Sequence, residues 1–193
     1  MDHGLTMIYW GYGKGKSTAA IGLALRALGQ GQRVLFIQFI KGEWHTGEMT
    51  MFEKITEWQE RGELPKGAYF EFYSMGRGFV RIMGDKKPIE EHKEAAREGL
   101  AYARTKLSFV QSEQCLAFDV VILDEILSAV DSMLLTADDI KELIRVKSPQ
   151  VHLLLTGHKE YPELAELADL VTRMEKVKHP YDQGLLAQRG VDF

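Results

Sequence analysis

Trp10-Gly11-Tyr12-Gly13-Lys14-Gly15-Lys16-Ser17-Thr18 follows a short apolar run, Met7 to Trp10, and precedes an alanine-rich helical pattern from Ala19 to Leu28. Strand, glycine-rich turn and helix, in that order, are the context of a phosphate-binding loop. Glycines let backbone N–H groups curl round an anion, and the helix N-terminus adds the positive end of its dipole. In such a loop Lys16 would reach the phosphates and the Ser17 hydroxyl would hold a magnesium ion. Gly11, Tyr12, Gly13, Lys14, Gly15, Lys16, Ser17 and Thr18 are therefore the nucleotide-binding candidates. The usual spacing is Gly, four residues, then Gly-Lys-Ser/Thr. Counting back from Gly15-Lys16 puts Trp10 where the first Gly belongs, so the first Gly comes one residue late.

Working outward, residues 6–10 read as a strand, and the helix beginning at Lys16 is ended by Gly29-Gln30-Gly31. Val34 to Ile40 is apolar except for Gln38, which suits a strand buried on both faces of a parallel sheet. A loop from Lys41 to Glu48 leads to a helix ending near Trp58, and Tyr69 to Tyr73 alternates as a strand. Met75 to Lys87 holds three glycines and little periodicity and reads as a loop. After Pro88, which suits a first helical turn, Ile89, His92, Ala96, Leu100, Ala103, Leu107 and Val110 mark one face of a long amphipathic helix. Val120 to Leu123 is a buried strand ending in Asp124-Glu125. Thr136-x-x-Asp139 resembles a capping box ahead of Ile140, Leu143 and Ile144. Val151 to Thr156 is a further strand stopped by Gly157, Pro162 to Ala168 a short helix, and Leu170 to Met174 a last strand.

Strands alternating with helices imply parallel βαβ units with helices on both faces. The expected fold is a single α/β domain over residues 1–193, a mostly parallel sheet flanked by helices, of the phosphate-loop (P-loop) NTPase or RecA-like kind. Ligands of such sheets sit at the carboxyl ends of the strands. That rule gathers the loop at 11–17, Gln38 to Gly42, Asp124-Glu125 and Thr156-Gly157-His158 at one edge. A carboxylate following four apolar residues, as at Asp124-Glu125, would bind magnesium directly or through water. The metal candidates are thus Ser17, Asp124 and Glu125, and the residues alone do not order the two acids. Gln38, Lys41 and His158 are further strand-end candidates. His3, His45, His92 and His152 show no metal-ligand spacing and read as structural.

Net charge is −4 and no dense Lys/Arg run occurs, so no nucleic-acid face is expected. Cys115 is the sole cysteine, which excludes an intrachain disulfide, and it reads as a small hydrophobe rather than a nucleophile. No stretch approaches the roughly 20 apolar residues of a membrane helix, and Met1-Asp2-His3-Gly4 lacks a signal pattern. A cytoplasmic protein without membrane attachment is expected.

Several motifs together resemble one family. Gly11-Tyr12-Gly13-Lys14-Gly15-Lys16-Ser17-Thr18-Ala19-Ala20 is similar to the loop of the ATP:corrinoid adenosyltransferases. So is Gln38-Phe39-Ile40-Lys41-Gly42, with Trp44 and Gly47-Glu48 after it. Val121 to Glu125 matches the family's acidic strand end. The tail matches too: Val177-Lys178-His179-Pro180-Tyr181-Asp182-Gln183-Gly184, Ala187-Gln188 and Gly190-Val191-Asp192-Phe193.

The resemblance implies transfer of the 5′-deoxyadenosyl group of ATP to the cobalt(I) of a reduced corrinoid. The triphosphate leaves whole, magnesium assists, and no protein nucleophile takes part. ATP lies reversed in the loop of such enzymes. Arg26 falls where the family has an Arg assigned to nucleotide binding. Met75 to Arg81 aligns with a corrinoid loop, making Phe79 and Arg81 the corrinoid-binding candidates, with Arg81 standing where better-known members have Trp. A homodimer and a flavoprotein reductant are further implied. Only ten residues precede Gly11, so the arm that caps the corrinoid site in other members is expected to be missing. The competing readings are a plain phosphate-loop ATPase or kinase, and a nucleotide-sensing module. Neither gives a reason for the tail from Val177.

Overall fold

The computed structural model describes residues 3–40, 45–78, 87–108, 110–111, 115–116 and 118–192. In chain order the elements are β1 (Thr6–Trp10), α1 (Lys16–Gly29), β2 (Arg33–Gln38), α2 (Gly47–Glu60) and β3 (Tyr69–Ser74). They continue with α3 (Ile89–Ser108), β4 (Val110–Gln111), β5 (Cys115–Leu116), β6 (Val120–Asp124), α4 (Ile126–Asp131) and α5 (Ala137–Val146). The chain finishes with β7 (His152–Gly157), α6 (Pro162–Ala165), β8 (Leu170–Arg173) and a 3-10 turn at Pro180–Gln183.

Six strands form one parallel sheet in the order β3-β2-β6-β7-β1-β8. This is the α/β fold of the phosphate-loop, RecA-like class, with helices on both faces. Successive residues of the central strands feed opposite cores. Val34, Phe36, Val120, Ile122 and Leu154 join α1 and α2, while Leu35, Ile37, Val121, Leu123, Leu153 and Leu155 join α3 to α6. Strands apolar at every position are what burial on both faces requires. On α1, Ala20, Ala24 and Ala27 form the buried stripe, small enough to bring the helix close against the sheet. Each buried Leu, Ile or Phe contributes roughly 1.5–3 kcal/mol.

Helix α5 starts as expected, with a reciprocal cap. The Asp139 N–H donates to Thr136 Oγ1 at 3.2 Å, and the Thr136 N–H donates to Asp139 Oδ2 at 2.8 Å. Helix α3 differs from expectation. Its apolar face was extended to Val110, but the helix ends at Ser108 and Val110 pairs antiparallel with Leu116 in a small hairpin. The reason is a crossing segment: the Leu107 carbonyl, which the next turn would use, accepts the Ser148 N–H at 3.0 Å. The structure adds helix α4 and the 3-10 turn, and α6 stops at Ala165 rather than 168.

The strand order positions the site. β7 lies between the loop strand β1 and the acid strand β6. The ends of the three strands are nearly level, with Trp10 beside Gly157 and Leu123 beside Leu155. Gly157 is also where α4 crosses: an added Cβ would lie 2.5 Å from Leu127 Cβ and 2.8 Å from the Ser128 nitrogen. Gly157→Ala should therefore cost about 1–3 kcal/mol through overpacking. Chemical denaturation would register it as a lower midpoint with an unchanged slope.

Candidate active site

The loop is held open by its neighbours. The Gly11 N–H lies between two β7-end carbonyls, at 3.2 Å from Gly157 O and 3.1 Å from His158 O, and the Gly13 N–H donates to Met174 O at 2.8 Å. Gly11 has φ 125°, and a Cβ there would meet the Met174 carbonyl oxygen at 2.2 Å. Glycine is thus required at 11 both for conformation and for the close approach of β8's exit. Gly15, at φ 113°, turns the chain into α1, whose N-terminal N–H groups are left to face a ligand.

Lys16 is 6% exposed and folds back on its own loop, donating to the carbonyls of Gly11 at 2.7 Å and Gly13 at 2.9 Å. Burial holds its ammonium below the ordinary lysine range, and the nearby Glu125 and Asp124 carboxylates oppose that shift. An anion that replaced the two carbonyls would add full charge compensation.

Asp124 is fully buried at the end of β6. Its Oδ2 accepts from Ser17 Oγ at 3.0 Å and from Gln38 Nε2 at 3.3 Å, and its Oδ1 accepts from Thr156 Oγ1 at 2.8 Å. Thr156, also fully buried, accepts the Glu125 N–H at 2.8 Å and so fixes the Asp124-Glu125 peptide. Glu125 sits in the left-handed region with φ 62°, at a cost of roughly 1–2 kcal/mol for an L residue. That turn takes its carboxylate out of the strand line and into the cavity. Asp124 is thus the buried partner of Ser17, and Glu125 faces the open side.

A cavity of about 370 Å³ lies over the start of α1. It is lined by Lys14, Gly15, Lys16, Ser17, Thr18 and Ile21 of the loop and α1. Gly47 and Glu48 of α2, Glu125, and Gly190-Val191-Asp192 complete it. Ile21, Gly47, Glu48 and residues 190–192 line the cavity without being among the sequence candidates. Asp192 forms an ion pair with Lys14 and accepts the Gln188 N–H at 2.8 Å. A phosphate chain using Lys14 would have to displace that carboxylate.

A magnesium ion fits this donor set. Ser17 Oγ, Asp124 and Glu125 are hard oxygen donors, as such an ion prefers. Gln38 Oε1, buried beside Asp124, has no hydrogen-bond partner among the described residues, so a metal-bound water could be received there. Among the described residues no group of three or more His, Cys, Asp or Glu is gathered for a metal.

The structure brings Gly11 to Thr18, Gln38, Asp124, Glu125 and His158 to one edge, as the strand-end rule expects. Tyr12, 69% exposed, stacks on His158 with centroids 5.9 Å apart. Arg26 is not brought in: it is exposed in the last turn of α1, about 15 Å along the axis from Lys16 at 1.5 Å per residue, and does not line the cavity. Lys41 and the corrinoid candidates Phe79 and Arg81 lie outside the described residues. Among the described residues no helix is long and apolar enough to cross a membrane.

A loop of this geometry serves many reactions, and the whole chain decides among them. Residues 2–193 match the family described as ATP:corrinoid adenosyltransferase BtuR/CobO/CobP. The chain belongs to this family. The corrinoid adenosyltransferase of Escherichia coli K12 is 33% identical over 192 residues, covering 100% of this chain and 87% of that protein. The Sinorhizobium corrinoid adenosyltransferase is 33% identical over 193 residues, covering 100% and 81%. The Salmonella typhimurium enzyme is 30% identical over 192 residues, covering 100% and 87%. Among solved structures, EssC (ATPases 2 and 3) from Geobacillus thermodenitrificans aligns with 98% of this chain and 35% of its own. Its TM-score is 0.41 and its identity 16%. As a corrinoid adenosyltransferase the chain is a transferase with ATP and a corrinoid as substrates.

Proposed function

We propose that this corrinoid adenosyltransferase joins C5′ of ATP to the cobalt(I) of a reduced corrinoid and releases the triphosphate intact. The observation that carries the reading is the phosphate loop packed against Asp124 and Glu125 in a chain that matches the family from end to end. In the step, the cobalt electron pair forms the Co–C5′ bond as the C5′–O bond breaks. The triphosphate departs with that bond's electrons, and cobalt is formally oxidised from Co(I) to Co(III). The protein's work is positioning and charge stabilisation. Loop N–H groups, the α1 N-terminus, Lys14 and Lys16 hold the leaving triphosphate.

The cavity lining sets two lysines against three carboxylates, Glu48, Glu125 and Asp192. A bare triphosphate would bring its negative charge close to the Glu125 and Asp192 carboxylates. Ser17, with Asp124 behind it, and Glu125 would hold a magnesium ion, which when bound supplies the missing positive charge. Thr18 lines the cavity beside Ser17. The corrinoid side of the reaction, with Phe79 and Arg81, rests on the family likeness, as do a homodimer and a flavoprotein reductant; Arg26, outside the phosphate cavity, could reach only a part of the nucleotide beyond the phosphates. The corrinoid taken, a cob(I)yrinic acid a,c-diamide intermediate or salvaged cobalamin, belongs to the same reading, as does a cytoplasmic setting.

Anaerobic incubation with ATP, magnesium and chemically reduced cobalamin should give the cobalt–carbon product by absorbance. Phosphorus NMR of the same mixture should show inorganic triphosphate in step with it. ADP and phosphate accumulating without reduced corrinoid would instead mark a plain ATPase.

A further inference from the structure

We infer that Ser128 and His158 are positioning residues for Glu125, and that with Tyr12 they tie the cavity carboxylate to the tip of the phosphate loop. The inference rests on the reading of Glu125 as a carboxylate that serves the divalent cation.

Glu125 stands at the N-cap of α4, yet its side chain makes no capping hydrogen bond to the helix backbone. Its Oε2 accepts instead from the Ser128 hydroxyl. Ser128 is 7% exposed, and its oxygen also lies 3.0 Å from His158 Nδ1. A serine hydroxyl carries one proton. Since Ser128 spends it on Glu125, His158 Nδ1 must carry a hydrogen and donate to Ser128. The arrangement therefore selects the Nδ1–H form of His158 and leaves Nε2 directed away from the pair. The imidazole plane is fixed from its other side by Tyr12, whose ring lies 25° from parallel. Tyr12 is in turn flanked by Gly11 and Gly13, whose N–H groups are bound to the ends of β7 and β8.

Four residues on three separate segments thus form one chain: loop Tyr12, β7-end His158, α4 Ser128 and cavity Glu125. A device that only stabilised α4 would aim the Glu125 carboxylate at free backbone N–H groups, which is how N-caps act. This one engages a single carboxylate oxygen, and among the described residues Oε1 accepts no hydrogen bond. A carboxylate so held presents one oxygen to the cavity in a set direction, as outer-shell partners do at metal sites.

The test is manganese affinity in the presence of ATP, with free Mn²⁺ read by electron paramagnetic resonance and corrinoid omitted. Ser128→Ala should raise the Mn²⁺ dissociation constant about tenfold, the low end of outer-shell effects, and Ser128→Thr should restore most of it. His158→Phe keeps a ring against Tyr12 but loses the donor, and should weaken Mn²⁺ similarly. His158→Asn, which places an amide N–H near the Nδ1 position, should weaken it less. Should Ser128→Ala unfold, the half-exposed His158 pair carries the same comparison. Glu125→Gln is the control. If it weakens Mn²⁺ while Ser128→Ala and His158→Phe bind like wild type, the positioning role is wrong. If Glu125→Gln itself binds Mn²⁺ like wild type, the cation reading of Glu125 fails, and this inference with it.

Discussion

Lys16→Ala should raise the ATP dissociation constant about 10- to 150-fold while leaving the protein folded. The ammonium is placed to make charge-assisted hydrogen bonds to phosphate, and such bonds contribute about 1.5–3 kcal/mol each. The folded state does not need them, because Lys16 is held by two carbonyls of its own loop and its burial works against its charge. The sign of the pH effect follows. With its folded pKa below the unfolded value, Lys16 loses its proton at lower pH than an ordinary lysine. Between the two values the folded protein binds fewer protons than the unfolded chain. This group's contribution to stability therefore rises with pH in that window, and its buried charge costs stability below it. ATP binding runs the other way, since the triphosphate wants the proton that Lys16 gives up. Affinity should fall on the alkaline side, and binding there should take up protons. Calorimetry in buffers of different ionisation enthalpy would detect the uptake; its absence would mean that Lys16 does not meet the phosphates.

Asp124→Ala and Asp124→Asn should separate folding from chemistry. Asp124 accepts from Ser17, Gln38 and Thr156, and the last two are fully buried. Alanine leaves two buried donors without a partner, at about 1–3 kcal/mol each, so roughly 2–6 kcal/mol of stability should be lost. Asparagine keeps the shape and one acceptor oxygen. The Gln38 amide can turn its orphaned oxygen towards the new NH2 group, so most of the stability should return. The negative charge behind Ser17 does not return. Asp124→Asn should therefore remain folded while its magnesium requirement rises steeply and its turnover drops by two orders of magnitude or more, the range in which removal of one transition-state group acts. Thermal unfolding and a magnesium titration of the rate, made side by side, check both halves. A variant with normal kinetics and a low melting temperature would make Asp124 purely structural.

The two variants draw on different layers of information. Lys16 was legible from the chain because a phosphate loop is local: its glycines, its lysine and the helix that follows are contiguous. The same holds for the apolar runs of β2, β6 and β7, whose lack of alternation already demands two covered faces. The Thr136–Asp139 cap is equally local. Where a distant segment intervenes, local reading fails. Helix α3 stops at Ser108 because Ser148 takes the Leu107 carbonyl, and nothing near Val110 announces it.

Within the site the division is similar. The sequence determined which strand ends meet at one edge, namely Gly11 to Thr18, Gln38, Asp124-Glu125 and Thr156 to His158, because parallel strands deliver their carboxyl ends to the same side. It did not determine which acid faces the cavity. That was decided by β7 lying between β1 and β6, which lets Thr156 lock the Asp124-Glu125 peptide and turn Glu125 to φ 62°. Nor did it place Gly190-Val191-Asp192 in the cavity wall or Arg26 outside it. Side chains 178 residues apart, like Lys14 and Asp192, meet only through the whole fold. Arg26 shares a helix with Lys16, but the helical rise alone carries it away from the loop.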